Sequence, residues 1–129
     1  MEPETLAAGL RSAAERGSLQ LPTVGTSMGG VIRAGDRAVV TTGGKPRWGE
    51  VWVFCTTEGA VTVHRCRGRR AGGWIFRGDK RARPDPLVTA DRLVGRVVAV
   101  ERAGIRRRLG VGDRWGRGAW AVLPRLGRG

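Results

Sequence analysis

The residues of this chain that could do chemistry are few, which makes their roles easy to enumerate. Three serines are present, and Ser12 and Ser18 fall in or beside an N-terminal amphipathic stretch. Ser27 stands apart, in the run Val24-Gly25-Thr26-Ser27-Met28-Gly29-Gly30. Glycines on both sides let the backbone take conformations closed to residues that carry a Cβ. A serine on such a bend can present its hydroxyl and its own N–H to one incoming carbonyl, the pairing that acyl transfer needs. The same residues also read as a glycine-rich turn between two strands. The single histidine is His64, in Val61-Thr62-Val63-His64-Arg65. If a Ser/His pair exists, Ser27 and His64 are the members sensibly placed to form it. One His and two Cys at unsuitable spacing fall short of a tetrahedral metal set, so neither a metal nor another cofactor is expected.

The elements that must position these residues follow from pattern. Glu4–Arg16 sets Leu6, Ala7, Leu10 and Ala14 on one helical face, with Gly17 as a stop. Leu19–Val24 reads as a short strand leading into the bend. Arg37–Thr42 is a β-branched strand closed by Gly43-Gly44-Lys45-Pro46, and Val51–Cys55 with Ala60–Arg67 reads as a hairpin. Trp74–Arg77 and Leu93–Glu101 complete the strands, separated by a loop punctuated by Pro84 and Pro86. Short strands divided by turns predict a mainly β, small barrel-like fold with one short N-terminal helix. The expected division is 1–20 for the helix, 21–101 for the β domain and 102–129 for a basic, Trp-containing extension. That extension, with Arg106–Arg108, Trp115, Trp120 and Leu123, reads as a packed segment, a weak membrane-surface element or a disordered tail.

Composition bounds the rest. The chain has 129 residues, 22 of them glycine, and a formal charge of +13 carried almost wholly by arginine, since Lys45 and Lys80 are its lysines. Such a charge attracts phosphate backbones or anionic lipid, although Arg, Gly and Ala enrichment also follows from genomic base composition. The basic clusters Arg69-Arg70 and Arg106–Arg108 come without a stacking platform or recognition helix, so no specific nucleic-acid partner is expected. The longest apolar runs are five residues, Val51–Cys55 and Ala119–Leu123. A membrane span needs roughly 20 and a secretory signal a core of roughly 7–15; the expectation is a soluble, cytoplasmic chain. Were Glu58-Gly59 a two-residue hairpin loop, Cys55 would face Thr62 and Cys66 would face Val51. The thiols would then stand about 13 Å apart, too far for a disulfide.

Several short blocks, in order, resemble the signal peptidase I group of serine peptidases. Gly25-x-Ser27-Met28 followed by Gly35-Asp36 and Val39-Val40 resembles its nucleophile block. Gly49-Glu50-Val51-Trp52-Val53-Phe54 resembles the next block. Val63-His64-Arg65 is similar to the general-base block of the endoplasmic-reticulum and archaeal branch. Gly78-Asp79 with Asp85 resembles that branch's acidic loop, and Val94-Gly95-Arg96-Val97 its closing strand. The same clan holds self-cleaving repressor domains and bacterial signal peptidases that use a Ser/Lys dyad; His64 at this position points to the Ser/His branch.

The resemblance implies a serine endopeptidase with a small β barrel of the signal-peptidase and repressor-cleavage kind. Ser27 would attack the scissile carbonyl, with His64 as base and the Ser27 N–H on the oxyanion. Gly25, Thr26 and Met28 would line the oxyanion and substrate contacts. Asp85 or Asp79 would orient His64; Asp85, six residues after Asp79 and flanked by two prolines, is the expected one, with Asp79 bracing the loop. Two features depart from the group: Gly30 stands where a proline is usual, and Lys80-Arg81 replace two asparagines. Without a membrane anchor, the implied substrate is a precursor peptide or protein whose leader or propeptide is removed. The alternative is a non-catalytic module of the same fold, with a basic surface for nucleic acid or an acidic partner.

Overall fold

The computed structural model of the chain describes residues 1–17 and 19–109. Ser18, Trp115, Trp120, Leu123 and the rest of the extension from 110 onward lie outside the described residues. Helix α1 spans Pro3–Glu15. Proline in its first turn suits a position whose N–H has no helical partner. Its Ala7 and Ala14 are buried, and Leu6 and Leu10 pack against the same core. The strands are β1 (Leu19–Pro22), β2 (Arg37–Thr41), β3 (Val51–Cys55), β4 (Val61–Arg70), β5 (Gly73–Arg77), β6 (Leu93–Arg102) and β7 (Ile105–Arg108). All pair antiparallel in one sheet ordered β1-β2-β6-β3-β4-β5, with β7 also on β6. The ten-residue β6 holds β2 along one edge and shares its other edge between β3 and β7.

The central strand explains its own sequence. Val51, Val53 and Cys55 enter a core with Met28, Val31, Ile32 and Ala7, while Trp52 and Phe54 enter a second cluster with Cys66, Trp74, Phe76 and Leu93. A strand buried on both faces reads as a continuous apolar run rather than an alternating one. Phe54 and Phe76 stack with centroids 4.7 Å apart. Each such buried aromatic contributes about 1.5–3 kcal/mol of transfer free energy.

Four expectations change. The sheet is not a closed barrel. The outer edge of β5 is occupied by the segment before β6: Trp74 and Val88 exchange both backbone bonds, at 2.9 and 3.0 Å, so β1 has no edge there to join. Gly73 permits this approach, since a Cβ on it would stand 2.2 Å from the Val88 carbonyl oxygen. The β3–β4 register is one residue away from the expected one, with Cys55 opposite Val61 and Val51 opposite Arg65. The loop is wider than two residues because the Thr56 hydroxyl accepts the Ala60 N–H at 3.0 Å, and the Thr56 N–H donates to the Ala60 carbonyl at 2.9 Å. Both cysteines are buried and unbridged. The first strand ends at Pro22 rather than Val24. Finally, the sheet runs past position 101: Ile105–Arg108 is a strand on β6, in which Arg107 is buried and Arg106 pairs with Glu101 at 2.6 Å.

Candidate active site

Ser27 rides on the 14-residue connection Thr23–Asp36 between β1 and β2. Its base is closed by three backbone bonds: Thr23 N–H to the Asp36 carbonyl, Gly35 N–H to the Thr23 carbonyl (each 2.9 Å), and Asp36 N–H to the Arg33 carbonyl (3.0 Å). The buried Asp36 carboxylate accepts the Arg33 N–H at 2.8 Å and the Arg102 guanidinium at 2.8–3.3 Å. The Gly35-Asp36 turn is thereby the clasp of the loop, tied to the far end of β6. Met28, Val31 and Ile32 anchor the loop's interior in the core. Gly25 at φ 83° and Gly29 at φ 61° bound the bend, conformations that glycine takes without a steric cost. The Gly29 N–H donates to the Thr26 carbonyl at 3.0 Å, which turns the chain around Ser27.

The bend carries Ser27 to His64. Ser27 Oγ lies 2.9 Å from His64 Nε2, and His64 Nδ1 lies 2.6 Å from Asp85 Oδ2. A carboxylate only accepts, so the short contact to Asp85 assigns the ring proton to Nδ1 and leaves Nε2 as the acceptor for the serine hydroxyl. His64 is 5% exposed and edge-on to Phe54, so its orientation is fixed by packing as well as by hydrogen bonds. Asp85 reaches it from outside β5: its N–H donates to the Phe76 carbonyl at 2.8 Å, and its carboxylate reaches back across the strand. Pro84 and Pro86 restrict the backbone on either side.

Asp79 is elsewhere. Its two oxygens each accept 2.8 Å bonds from Arg65, whose remaining arm donates to the Gly49 carbonyl at 2.8 Å. Neighbours on a strand face opposite ways, so His64 and Arg65 serve different sides of the sheet. Asp79 thus holds the loop through a buried ion pair, and its next neighbour Lys80 donates its N–H to the Ser27 carbonyl at 2.7 Å.

Of the other expected site residues, Gly25 and Thr26 are exposed on the bend. The Met28 side chain is 3% exposed and lies in the core, because the turn that presents Ser27 outward points the next side chain inward. Met28 can touch a substrate only through its backbone. The N–H of Ser27 donates to no acceptor among the described residues. At Gly30, the carbonyl is tied by Arg102 at 3.3 Å, a tether from β6 where the resembling group has a proline. The lysine at position 80 lies along Gly29, its Cγ 3.3 Å from where a Cβ would stand.

Sequence reasoning gave Gly78 no role of its own at the site, yet it has no room there for a side chain. A Cβ there would stand 2.9 Å from His64 Nε2, Ser27 Cβ and the Ser27 carbonyl oxygen alike. Gly78 follows the Arg65–Arg77 pair of β4 and β5, directly opposite His64, so the ring lies over bare backbone. Its signal was the Gly-Asp pair, which reads equally as an ordinary turn. Gly78→Ala is expected to push His64 and Ser27 apart and to slow any reaction at Ser27 by about 10²-fold, with a stability loss of about 1–3 kcal/mol. Rates of serine-directed acylation and melting curves of the two proteins check this.

The cysteines do not compete as nucleophiles, since burial pushes both thiols up and keeps them protonated. Among the described residues, no group of three or more His, Cys, Asp or Glu could hold a metal ion, and no helix is long and apolar enough to cross a membrane. Neither the protein-family models nor the curated proteins include a match to this chain.

Proposed function

We propose that this chain is a serine endopeptidase of signal peptidase I type that removes a leader or propeptide from a precursor polypeptide. The observation that carries the reading is the Ser27–His64–Asp85 relay, with contacts of 2.9 and 2.6 Å. Three elements distant in sequence converge on one hydrogen-bonded line, in the order and polarity that nucleophilic catalysis requires. The ordered motif resemblance across Leu21–Val100 supports the peptide bond as the target.

The mechanism follows from the geometry. His64 Nε2 takes the Ser27 proton as Oγ attacks the scissile carbonyl carbon. The Ser27 N–H donates to the developing oxyanion, while Asp85 stabilises the imidazolium and holds its tautomer. Collapse breaks the C–N bond, with His64 returning its proton to the leaving amine. Water, deprotonated by the same imidazole, then releases the acyl group from Ser27.

A fluorophosphonate probe tests the reading without knowledge of the substrate. Labelling is expected at Ser27 by peptide mapping. It is expected to vanish in Ser27→Ala and His64→Ala, each with an unchanged circular dichroism spectrum. Cleavage of a diverse peptide mixture, read by mass spectrometry, should disappear in the same variants. Equal labelling or equal cleavage by Ser27→Ala would overturn the assignment and leave the non-catalytic binding module as the better reading.

A further inference from the structure

The β4–β5 pair carries an excess of positive charge that the site described above does not use. Arg65 on β4 and Arg77 on β5 are paired neighbours. The register shifts between Cys66 and Gly68, which leaves Arg67 as the extra residue of β4; bulges of this kind re-aim a side chain and often lie beside functional sites. Two guanidinium groups, those of Arg65 and Arg67, reach the one carboxylate of Asp79, and the positive charge of Arg77 acts on Arg67 beside them. Arg65 makes both close bonds to it, and Arg67 reaches it only at 3.6 Å. The Arg67 guanidinium lies over the Trp48 ring, 5.7 Å from its centroid. Burial draws Arg67 below its ordinary range; Asp79 opposes the fall, and Arg65 and Arg77 add to it. The Nε atoms of Arg67 and Arg77 are buried, and neither has a hydrogen-bond partner among the described residues. Buried donors are almost always satisfied, so a pair of orphans in a cluster with more arginines than carboxylates calls for an acceptor from outside the described residues.

We propose that Arg67 and Arg77 form a binding site for a single oxyanion, a carboxylate or phosphate group, at the bulge of β4 beside the end of β5. Guanidinium forks match the oxygen spacing of these groups, and an anion here supplies both missing acceptors and offsets the excess charge. The Arg67 side chain is 22% exposed, open enough for one group to enter and too recessed for a run of phosphates, which needs a row of exposed cations. The oxyanion is carried either by a free small molecule or by an acidic side chain of a bound polypeptide. Arg77 adjoins Gly78 in the chain, so the site lies one residue from the backbone against which Ser27 and His64 meet.

The test uses the whole chain and inorganic phosphate at constant ionic strength, with sodium chloride as control, followed by calorimetry and thermal melting. Phosphate is expected to bind and to raise the melting temperature beyond the chloride control. Arg67→Met and Arg77→Met should each weaken phosphate binding by about tenfold or more. Their melting temperatures without phosphate should hold or rise, because like charges are removed; a purely structural arginine would lower them. Arg77→Lys keeps the charge and loses the fork, so it should also weaken binding while staying folded. On a Ser27→Ala background, which removes hydrolysis, a short peptide with one glutamate is compared with its glutamine twin as a competitor of phosphate. Competition by the glutamate peptide alone assigns the oxyanion to a polypeptide, and no competition assigns it to a free anion. Equal effects of phosphate and chloride, or phosphate affinity unchanged in both the Met variants and Arg77→Lys, would overturn the proposal whatever the fate of the peptidase reading.

Discussion

Asp85→Asn is expected to lower turnover by about 10³–10⁴-fold, in line with loss of the orienting carboxylate in Ser-His-Asp enzymes, while leaving the melting temperature nearly unchanged. The 2.6 Å contact from Asp85 Oδ2 to His64 Nδ1 is the sole side-chain bond described for Asp85. An asparagine fits the same space but carries no charge to balance an imidazolium. Its amide can also donate to Nδ1, which would move the ring proton to Nε2 and block the acceptor that Ser27 needs. The Asp85 side chain is 22% exposed, so little buried structure depends on it and the stability change should stay below about 1 kcal/mol. Turnover of a cleavable peptide, or the rate of fluorophosphonate labelling, is the measurement, read beside a melting curve. Wild-type rates in Asp85→Asn would remove the third member from the mechanism.

Asp79→Asn should give the complementary pattern, a large loss of stability that carries activity down with it. Asp79 neutralises Arg65, whose side chain has no exposure, and the Asp79 side chain is itself 9% exposed. Removing one partner of a buried ion pair strands the other charge in a poor solvent, which costs about 3–5 kcal/mol. For a domain of this size that is a fall in melting temperature of more than about 10 °C. The loop from Gly78 to Lys80 would loosen with it, and with it the Lys80 N–H bond to the Ser27 carbonyl. Arg65→Met in the same background separates the causes. If the stranded charge is the cost, the double variant should recover much of the lost stability. No recovery would mean that the bonds themselves, rather than the uncompensated charge, hold the loop.

Much of the local structure was legible in the sequence because local physics decides it. The helix follows from the spacing of Leu6, Ala7, Leu10 and Ala14 with Gly17 as a stop, and the structure has it over Pro3–Glu15. The run Val51–Cys55 is a strand of those same bounds, since β-branched and aromatic residues in that length admit little else. The scarcity of reactive side chains drew attention to Ser27 and His64 before any geometry was known. Even the absence of a disulfide survived an error of one residue in register, because the two cysteines are too far apart along the hairpin in either alignment.

What lay beyond the sequence depends on contacts between distant segments. Whether the sheet closes depends on which strand reaches the edge of β5, and the Trp74–Val88 bridge takes that edge first. Arg106–Arg108 looks like a charged tail, yet β6 is long enough to offer it an edge, and pairing backbone overrides side-chain polarity. Met28 looks like part of the site by its place in the motif; the turn sends it into the core. The division of labour between two aspartates six residues apart rests on the alternation of β4, which turns His64 and Arg65 to opposite faces and gives each a carboxylate. Gly78 matters for what its missing side chain leaves room for. Strand periodicity and turn chemistry act over a few residues and can be read along the chain. Edge occupancy, facing and close approach are properties of surfaces that meet only after folding, so the tertiary structure alone decided them.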